Sequence, residues 1–149
     1  MRRTAAVEYE QMLLARHSLS SIKRAHHLDR SAYILLSLMQ AQGPMSISEL
    51  SDVLGLDAST LNRQTSSAKR AGLLDRIPDP DGGIARKFAV TPEGAEQLNT
   101  QRDEIRAGLD KVMHAWSDDE IAAFAGFLRR FNGDIEALAG RVWPRPQDR

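Results

Sequence analysis

Cysteine is absent from this sequence of 149 residues. Its absence excludes disulfide bonds, thiolate zinc sites, thiol-based redox sensing and cysteine nucleophiles. Long apolar runs are missing as well. No segment approaches the ~20 residues that a membrane-spanning helix needs, and the basic N-terminus is not followed by the apolar stretch of a signal peptide. We therefore expect a cytoplasmic location.

A net charge is also missing, because 20 Lys and Arg residues balance 20 Asp and Glu residues. This balance excludes a protein that binds nucleic acid through bulk positive charge alone, so any such surface must arise from local segregation of charge. The composition, 42% hydrophobic and 27% charged, is that of a folded protein. The length fits one domain, or one core with helical extensions.

Motifs for catalysis or for a bound metal are lacking. The sequence has no glycine-rich phosphate loop and no nucleophile motif, so we expect neither an enzyme nor a cofactor. Asp79 and Asp81 have the spacing of calcium-loop ligands, but the third acidic position and the closing glutamate are missing, which favours an ordinary turn. The histidines are interpreted as surface or helix-end residues in preference to ligands of a regulatory metal. They are His17, His26, His27 and His114.

Apolar residues at helical spacing predict two helices in the first third of the chain. The first runs from about Ala5 to His26. Its apolar positions are Tyr9, Met12, Leu13, Leu19 and Ile22. The second begins at a cap supplied by Asp29 or Ser31 and ends at Gly43. Its apolar positions are Ile34, Leu35, Leu38 and Met39.

Two shorter helices follow, joined by a turn at Gly55. Ser46 and Glu49 have the spacing of a capping box at the start of the first. Asp57 caps the second, which ends at Gly72. The inward residues are Ile47, Leu50, Val53 and Leu54 in the first helix, and Ala58, Leu61, Thr65 and Ala68 in the second.

The apolar pattern changes after Gly72. Leu73–Ile77 and Arg86–Val90 are short strand-like runs that flank residues 78–83, which are rich in proline, aspartate and glycine. This arrangement predicts a β-hairpin with a long tip. Two short helices followed by such a hairpin form a winged helix-turn-helix.

Two long helices complete the chain. Thr91 caps the first, which begins at Pro92 and carries Leu98, Ile105, Leu109, Val112 and Trp116. The second follows Ser117, and its apolar residues alternate three and four positions apart: Ile121, Phe124, Leu128, Phe131, Ile135, Leu138 and Val142. One helix cannot bury such a seam alone, so we expect packing between two subunits, with packing inside one chain as the alternative. Trp143 to Arg149 are predicted to form a frayed tail.

The second short helix has an outward face suited to reading DNA. Its side chains are short hydrogen-bonding groups and one arginine, without glutamate or lysine between Ala58 and Ala68. An ordinary polar helix surface is the alternative. The candidate DNA-binding residues are Ser46, Ser59, Thr60, Asn62, Arg63, Gln64, Ser67, Arg70, Arg86 and Lys87. Basic residues cluster in this region (Arg63, Lys69, Arg70, Arg76, Arg86 and Lys87), whereas residues 93–136 are rich in acids. This segregation favours double-stranded DNA over RNA or a membrane as the partner.

The stretch from Ser46 to Leu98 resembles the multiple-antibiotic-resistance regulator (MarR) family. The resemblance rests on Ile47–Leu50 in the first short helix, Leu61–Arg63 in the second, Gly72–Arg76 at the entry to the hairpin and Val90–Gly94 at its exit. It implies a dimer built from interleaved terminal helices, and an effector bound between the dimer and DNA-binding lobes. Candidate effector contacts are Tyr9, His17 and Tyr33, with ordinary helix packing as the alternative.

The wing departs from the family pattern. That pattern has an Asp-x-Arg element in the hairpin loop, and the matching positions here are Gly82 and Ile84. The resemblance therefore implies a weakened wing contact. Arg86 and Lys87 are candidates for a phosphate or minor-groove contact, with a solvated hairpin edge as the alternative.

The expected fold is mainly α with a small β-hairpin. Residues 1–28 form an N-terminal dimerisation helix, 29–92 the winged helix-turn-helix, 93–143 the C-terminal dimerisation helices and 144–149 a tail. The expected function is that of a homodimeric transcriptional repressor of a pseudo-palindromic operator, released by a small aromatic or amphipathic effector. A winged-helix module for protein–protein interaction, without specific DNA binding, is the alternative.

Overall fold

The computed structural model describes residues 3–17 and 28–145. Over these residues the chain forms six helices and one two-stranded antiparallel sheet, which confirms the predicted mainly helical winged helix-turn-helix fold. The first helix was predicted to run to about His26, but it ends at Arg16, because His17 adopts an extended conformation. Leu19, Ile22 and His26 lie outside the described residues. The elements are α1 (Thr4–Arg16), α2 (Arg30–Gln42), α3 (Ile47–Leu54), α4 (Ala58–Arg70), β1 (Leu74–Ile77), β2 (Lys87–Val90), α5 (Pro92–Val112) and α6 (Asp118–Ala139).

Side-chain caps begin five of these helices. Asp29 caps α2, because its Oδ1 accepts the backbone N–H of Ala32 at 2.8 Å, while the hydroxyl of Ser31 donates to the same carboxylate oxygen. The capping box of Ser46 and Glu49 starts α3 as predicted. The remaining caps are Asp57 for α4, Thr91 for α5 and Ser117 for α6. Each cap satisfies an N–H group that the helix itself leaves unpaired, so these starts are fixed locally.

The hydrophobic core lies between α2, α3, α4, the hairpin and the first turns of α5. Leucines dominate it, and seven are essentially inaccessible: Leu35, Leu36, Leu38, Leu50, Leu61, Leu74 and Leu98. The prediction of Ala58 as an inward residue is wrong, since it is exposed. Ala58 occupies the first turn of α4, beyond the end of the buried stripe that Leu61, Thr65 and Ala68 form.

The hairpin is attached to the helix-turn-helix by backbone hydrogen bonds. Its strands pair from Leu74 opposite Val90 to Ile77 opposite Lys87. Met45, just before α3, pairs in turn with Phe88 through N–H···O bonds of 3.1 and 2.8 Å. The wing, which we define as residues 74–90, is therefore held beside the start of α3 and next to α4.

The start of α5 closes tightly onto the end of the helix-turn-helix. The hydroxyl of Thr91 donates to the carbonyl of Gly72 at 2.6 Å and accepts the N–H of Gly94 at 2.9 Å. A Cβ at position 94 would lie 2.3 Å from the carbonyl oxygen of Leu73. Glycine is therefore required at position 94 by close packing of the helix on the backbone of residue 73.

The terminal helices differ from this core, since neither α1 nor α6 contains a buried residue. Two residues assigned to the ends of α5 and α6 lie outside those helices. Trp116 lies outside α5, because residues 113–116 form a turn before the cap of α6, and its ring meets that of Phe124 edge-on at 5.6 Å. Val142 lies outside α6, because Gly140 adopts a left-handed conformation that ends the helix.

Trp143 was assigned to a frayed tail, and this assignment is also wrong. Its side chain is half-buried and packs against the hydrophobic core. Its backbone N–H donates to Glu136 Oε2 at 3.2 Å, and Arg145 forms an ion pair with the same carboxylate. These contacts fold residues 141–145 back from the end of α6. Residues 146–149 lie outside the described residues.

Candidate nucleic-acid interface

Helix α4 buries one face and exposes the other. Thr65 is fully buried on the inner face, where its hydroxyl donates to the carbonyl of Leu61 at 2.7 Å. The predicted outward residues Asn62, Arg63 and Ser67 are exposed, as is Arg70. Ser66 and Lys69 are exposed on the same helix. The exposed surface therefore combines amide and hydroxyl groups with three cations, all of which can address base edges or phosphates.

The first turn of α4 is engaged in its own cap. Asp57 Oδ1 accepts the N–H of Thr60 at 2.7 Å and the hydroxyl of Ser59 at 2.8 Å. These hydrogen bonds, assisted by the charge of Arg63, hold the pKa of Asp57 below its ordinary value. Ser59 and Thr60 therefore take part in the N-terminal cap of the helix. The exposed polar side chains beyond this cap begin at Asn62.

One side of α4 faces a groove of about 300 Å³ between the start of α3 and the wing. Asn62 and Arg86, both predicted, line it together with residues absent from the candidate set. Lys69 and Arg76 belong to the predicted cationic cluster, whereas Ser48 and Ser66 are not among the predicted site residues. The helical spacing of 62, 66 and 69 is the signal that could have identified this face. The polar and basic lining residues are Ser46, Ser48, Asn62, Ser66, Lys69, Arg76 and Arg86.

The other side of α4 faces a second groove, of about 570 Å³, toward the start of α2 and the first turns of α5. Arg63, Gln64 and Ser67 line it, opposite Ser31 and Gln97. The structure therefore divides the predicted reading residues between two surfaces of one helix. Asn62 belongs to the wing side, and Gln64 and Ser67 belong to the side of α2 and α5.

Ser46, another candidate for DNA contact, is almost completely buried. Its hydroxyl accepts the N–H of Glu49 at 3.2 Å, and its own N–H donates to Glu49 Oε1 at 3.2 Å. Ser46 therefore lines the groove mainly as the cap of α3.

The two basic residues of the wing have different surroundings. Arg86 is exposed, whereas the side chain of Lys87 is only 14% exposed. The Lys87 ammonium lies 3.1 Å from Glu49 Oε1 and 3.6 Å from Asp79 Oδ1. Burial tends to raise the pKa of Glu49, but the hydrogen bonds from Lys87 and Ser46 outweigh it and lower that pKa. The hydrogen bond to Glu49 likewise raises the pKa of Lys87.

The wing loop forms an ordinary turn at Asp79 and Asp81. Asp79 Oδ1 accepts the N–H of Asp81 at 2.9 Å, and the carbonyl of Asp79 accepts the N–H of Gly82 at 3.0 Å. Within residues 3–17 and 28–145, no group of three or more histidine, aspartate or glutamate residues is arranged to hold a metal ion. His26 and His27 lie outside those ranges.

The three candidate effector residues have separate surroundings. Tyr9 is exposed on α1, and Tyr33 packs against the core of the helix-turn-helix. His17 lines an apolar groove of about 950 Å³ between α1 and α6, and neither tyrosine is among the described residues that line this groove. The prediction that these three residues surround one cavity is therefore not supported by their positions.

The predicted dimerisation residues form an open stripe along α6. Ile121 is half-buried, and the other five are exposed: Phe124, Leu128, Phe131, Ile135 and Leu138. Phe127, which lies off the heptad pattern, is exposed beside them and lines the groove with Phe124, Leu128 and Phe131. In the part of the chain that the structure describes, no helix is both long and apolar enough to span a membrane.

Comparison with known proteins relates this fold to one family. A model of the MarR family matches residues 26–83, which include α2 to α4 and β1. The uncharacterised HTH-type transcriptional regulator YxaD of Bacillus subtilis (strain 168) is 31% identical over 129 residues, covering 85% of this chain and 90% of that protein.

Two solved structures share the fold. A MarR family protein from Bacillus stearothermophilus superposes with a TM-score of 0.72 at 21% identity, over 91% of this chain and 98% of that one. The PcaV transcriptional regulator from Streptomyces coelicolor, solved in complex with its natural ligand, superposes with a TM-score of 0.63 at 22% identity, over 89% and 96%. Together with the winged helix-turn-helix and its exposed polar and basic helix face, the similarity to YxaD shows that this chain belongs to the MarR family of DNA-binding transcriptional regulators.

Proposed function

We propose that the protein is a repressor that binds a pseudo-palindromic operator as a homodimer and is released by a small molecule. The observation that carries the DNA-binding part is the surface shared by α4 and the wing. It joins Asn62, Ser66 and Lys69 of the helix to Arg76 and Arg86 of the wing around one groove. Cations there would bind phosphates and the amide would read a base edge.

Homodimerisation is supported by the unburied apolar faces of the terminal helices. Phe131 and Phe127 keep 41% and 69% of their surface accessible, and Val7 and Leu14 of α1 border the same groove. A contiguous apolar surface of this kind is unfavourable in water and marks an interaction site. A second copy would bury it and carry two α4 helices to half-sites ~34–36 Å apart.

Release by a small molecule is supported by the groove of about 570 Å³ next to α4. Gln64 and Gln97 line it with hydrogen-bonding groups, and the single cation of Arg63 lies in a lining that also includes the carboxylates of Asp29 and Glu93. Such a lining suits a small polar ligand that both donates and accepts hydrogen bonds. A ligand held there would occupy the same Arg63 and Gln64 side chains that we assign to DNA. Binding of the two partners would then be negatively coupled, each weakening the other by the same factor.

The test of DNA binding uses Arg63, the cation nearest the start of the exposed surface of α4. Arg63→Ala should weaken specific binding by ~1–3 kcal/mol per subunit, as expected for loss of a bidentate base contact. Binding is measured by fluorescence anisotropy on DNA from upstream of the chain's own gene and on random DNA. Arg106→Ala is the control, since Arg106 is an exposed arginine of α5 that pairs with Asp103 at 3.4 Å and lines neither groove beside α4.

Three outcomes are distinguishable. A loss confined to Arg63→Ala supports DNA binding by the exposed face of α4. Wild-type binding by a folded Arg63→Ala variant contradicts it. The absence of any salt-sensitive specific complex with the wild-type protein would favour the winged-helix interaction module instead.

Asn62 and Gln64 lie on opposite sides of α4, so variants at these two positions distinguish the roles of the two grooves. If the wing side reads bases, Asn62→Ala should relax base preference more than it lowers affinity for random DNA. Gln64→Ala should have the smaller effect on base preference. It should instead lower the affinity for the ligand that releases DNA. Equal losses on specific and random DNA for Asn62→Ala would contradict base reading by this residue.

A further inference from the structure

Lys87 occupies the junction between the wing loop and the helix-turn-helix. It is the first residue of β2, and its ammonium lies between Glu49 in the first turn of α3 and Asp79 in the wing loop. The side chains of Lys87 and Asp79 are 14% and 13% exposed, so this part of the bridge is shielded from solvent. Shielding strengthens an ion pair relative to one on the open surface.

Both partners of Lys87 are themselves fixed to the backbone. Glu49 Oε1 accepts the N–H of Ser46 in the capping box of α3. Asp79 Oδ1 accepts the N–H of Asp81 within the turn of the wing loop. A single cation therefore connects the N-terminus of α3 to the turn at the base of the loop.

The loop has little else to order it. Ile84 at its tip is fully exposed, and Gly82 has a φ of +83°. Two adjacent glycines raise the conformational entropy that ordering must overcome. Arg86 immediately precedes β2, which begins at Lys87. Arg86 and Phe88, on either side of Lys87, line the groove beside α4, whereas the Lys87 ammonium lies beside Glu49 and Asp79.

We propose that Lys87 is a positioning residue for the wing: its bridge to Glu49 and Asp79 holds the loop against α3 and presents Arg86 to DNA. Lys87 is then not a phosphate contact, although its charge and position suggest one. This inference rests on the proposed DNA-binding function only for its effect on affinity. The ordering of the loop is a property of the free protein.

The experiment compares Lys87→Met with Asp79→Asn. Asparagine keeps the turn-forming oxygen but removes the charge that pairs with Lys87. As a positioning residue, Lys87 loses its role in either variant, so each should weaken operator binding about fivefold and the double variant little more than either alone. Any fall in the salt dependence of binding should be the same in Lys87→Met and Asp79→Asn, because both variants release Arg86 and neither removes a charge that itself contacts DNA.

Asp81→Asn is the matched control, since it removes the same charge from the same loop and Asp81 is exposed. It should leave binding unchanged or tighten it slightly through reduced repulsion of DNA. Two results would overturn the proposal. One is a salt slope that falls by about one unit per subunit in Lys87→Met but not in Asp79→Asn, which identifies a phosphate contact by Lys87 itself. The other is a tightening in Asp79→Asn equal to that in Asp81→Asn.

Hydrogen exchange of the free protein tests the bridge without DNA. Amides of Asp79 and of residues 81–86 should exchange faster in Lys87→Met and Asp79→Asn than in the wild type and in Asp81→Asn, while Lys87→Arg should retain wild-type protection. Unchanged exchange in Lys87→Met would overturn the proposal. If the wild type binds no operator, the proposed function fails, and this measurement still decides the role of Lys87.

Discussion

The helix-turn-helix region and the terminal helices have similar amphipathic patterns and opposite burial. Leu36 of α2 is inaccessible to solvent, whereas Phe131 and Ile135 of α6 keep 41% and 47% of their surface accessible. In the helix-turn-helix, the apolar stripes of α2, α3 and α4 face one another. Within residues 3–17 and 28–145, the stripe of α6 has too little apolar surface opposite it to be buried. A helical pattern therefore predicts a buried face, but not which molecule buries it.

The largest effect expected from this contrast is in the core. Leu36→Ala should lower the free energy of unfolding by ~2–5 kcal/mol, through lost burial and the cavity left behind. Ile84→Ala removes apolar atoms from a fully exposed side chain at the wing tip and should change it by less than ~0.5 kcal/mol. Denaturant unfolding monitored by circular dichroism measures both. Equal losses in the two variants would contradict the assignment of this region as the core.

An intermediate effect is expected at the proposed subunit interface. Phe131→Asp places a carboxylate in the apolar stripe and should weaken dimerisation by ~2–4 kcal/mol, as for a buried interface residue. Sedimentation equilibrium gives the dissociation constant. Ala122→Asp is the control, because Ala122 is exposed on the opposite face of α6. A Phe131→Asp variant that remains as dimeric as Ala122→Asp would show that this stripe packs elsewhere.

The smallest effect is expected where the two regions meet, at residues 141–145. The hydrogen bond from Arg145, aided by the N–H of Trp143, holds the pKa of Glu136 below its ordinary value of 4.5 against the opposing effect of burial. A carboxyl group with a lowered pKa in the folded state stabilises that state above its unfolded pKa. The contribution is lost as pH falls through the folded pKa.

Glu136→Gln should therefore melt slightly below the wild type at pH 7, and the difference should shrink in acid as pH falls through the lowered folded pKa of Glu136. The Tm of both proteins, followed from pH 7 to pH 3, gives this difference. Glu96→Gln, at an exposed position of α5, is the control. A difference that is constant across this range would assign the effect to packing of Trp143 and not to the charge of Glu136.

Several structural features followed from short-range signals in the sequence. The capping residues Asp29, Ser46, Asp57 and Thr91 act on N–H groups at most three residues away, so the sequence predicted the starts of α2 to α5 closely. The hairpin was predicted to within a residue because turn formers and strand formers alternate there. The same locality explains the recognition of the family from the segment between Ser46 and Leu98.

The positions of individual site residues were less predictable. Helical spacing identified the exposed side of α4, but the division of Asn62 and Gln64 between two grooves depends on where the wing, α2 and α5 lie. Lys69 and Arg76 were recognised as part of a charge cluster, and only the packing of the wing on α4 brings them to one groove with Asn62. Ala58 was misassigned because periodicity does not indicate where the neighbouring elements end.

The sequence by itself determined the elements, their order and their apolar faces, because those depend on interactions within one or two turns of helix. Tertiary structure alone decided which distant groups meet. The side-chain oxygen of Gln101 accepts the backbone N–H of Leu28 at 2.9 Å, although the two residues are 73 positions apart. Lys87 bridges Glu49 and Asp79, and the side chain of Trp143 packs against the core. Such pairs leave no periodic signal, since each depends on the packing of several elements at once. The physical reason is that hydrophobic burial is non-directional, whereas the partner of a polar group is fixed by geometry that only the assembled core provides.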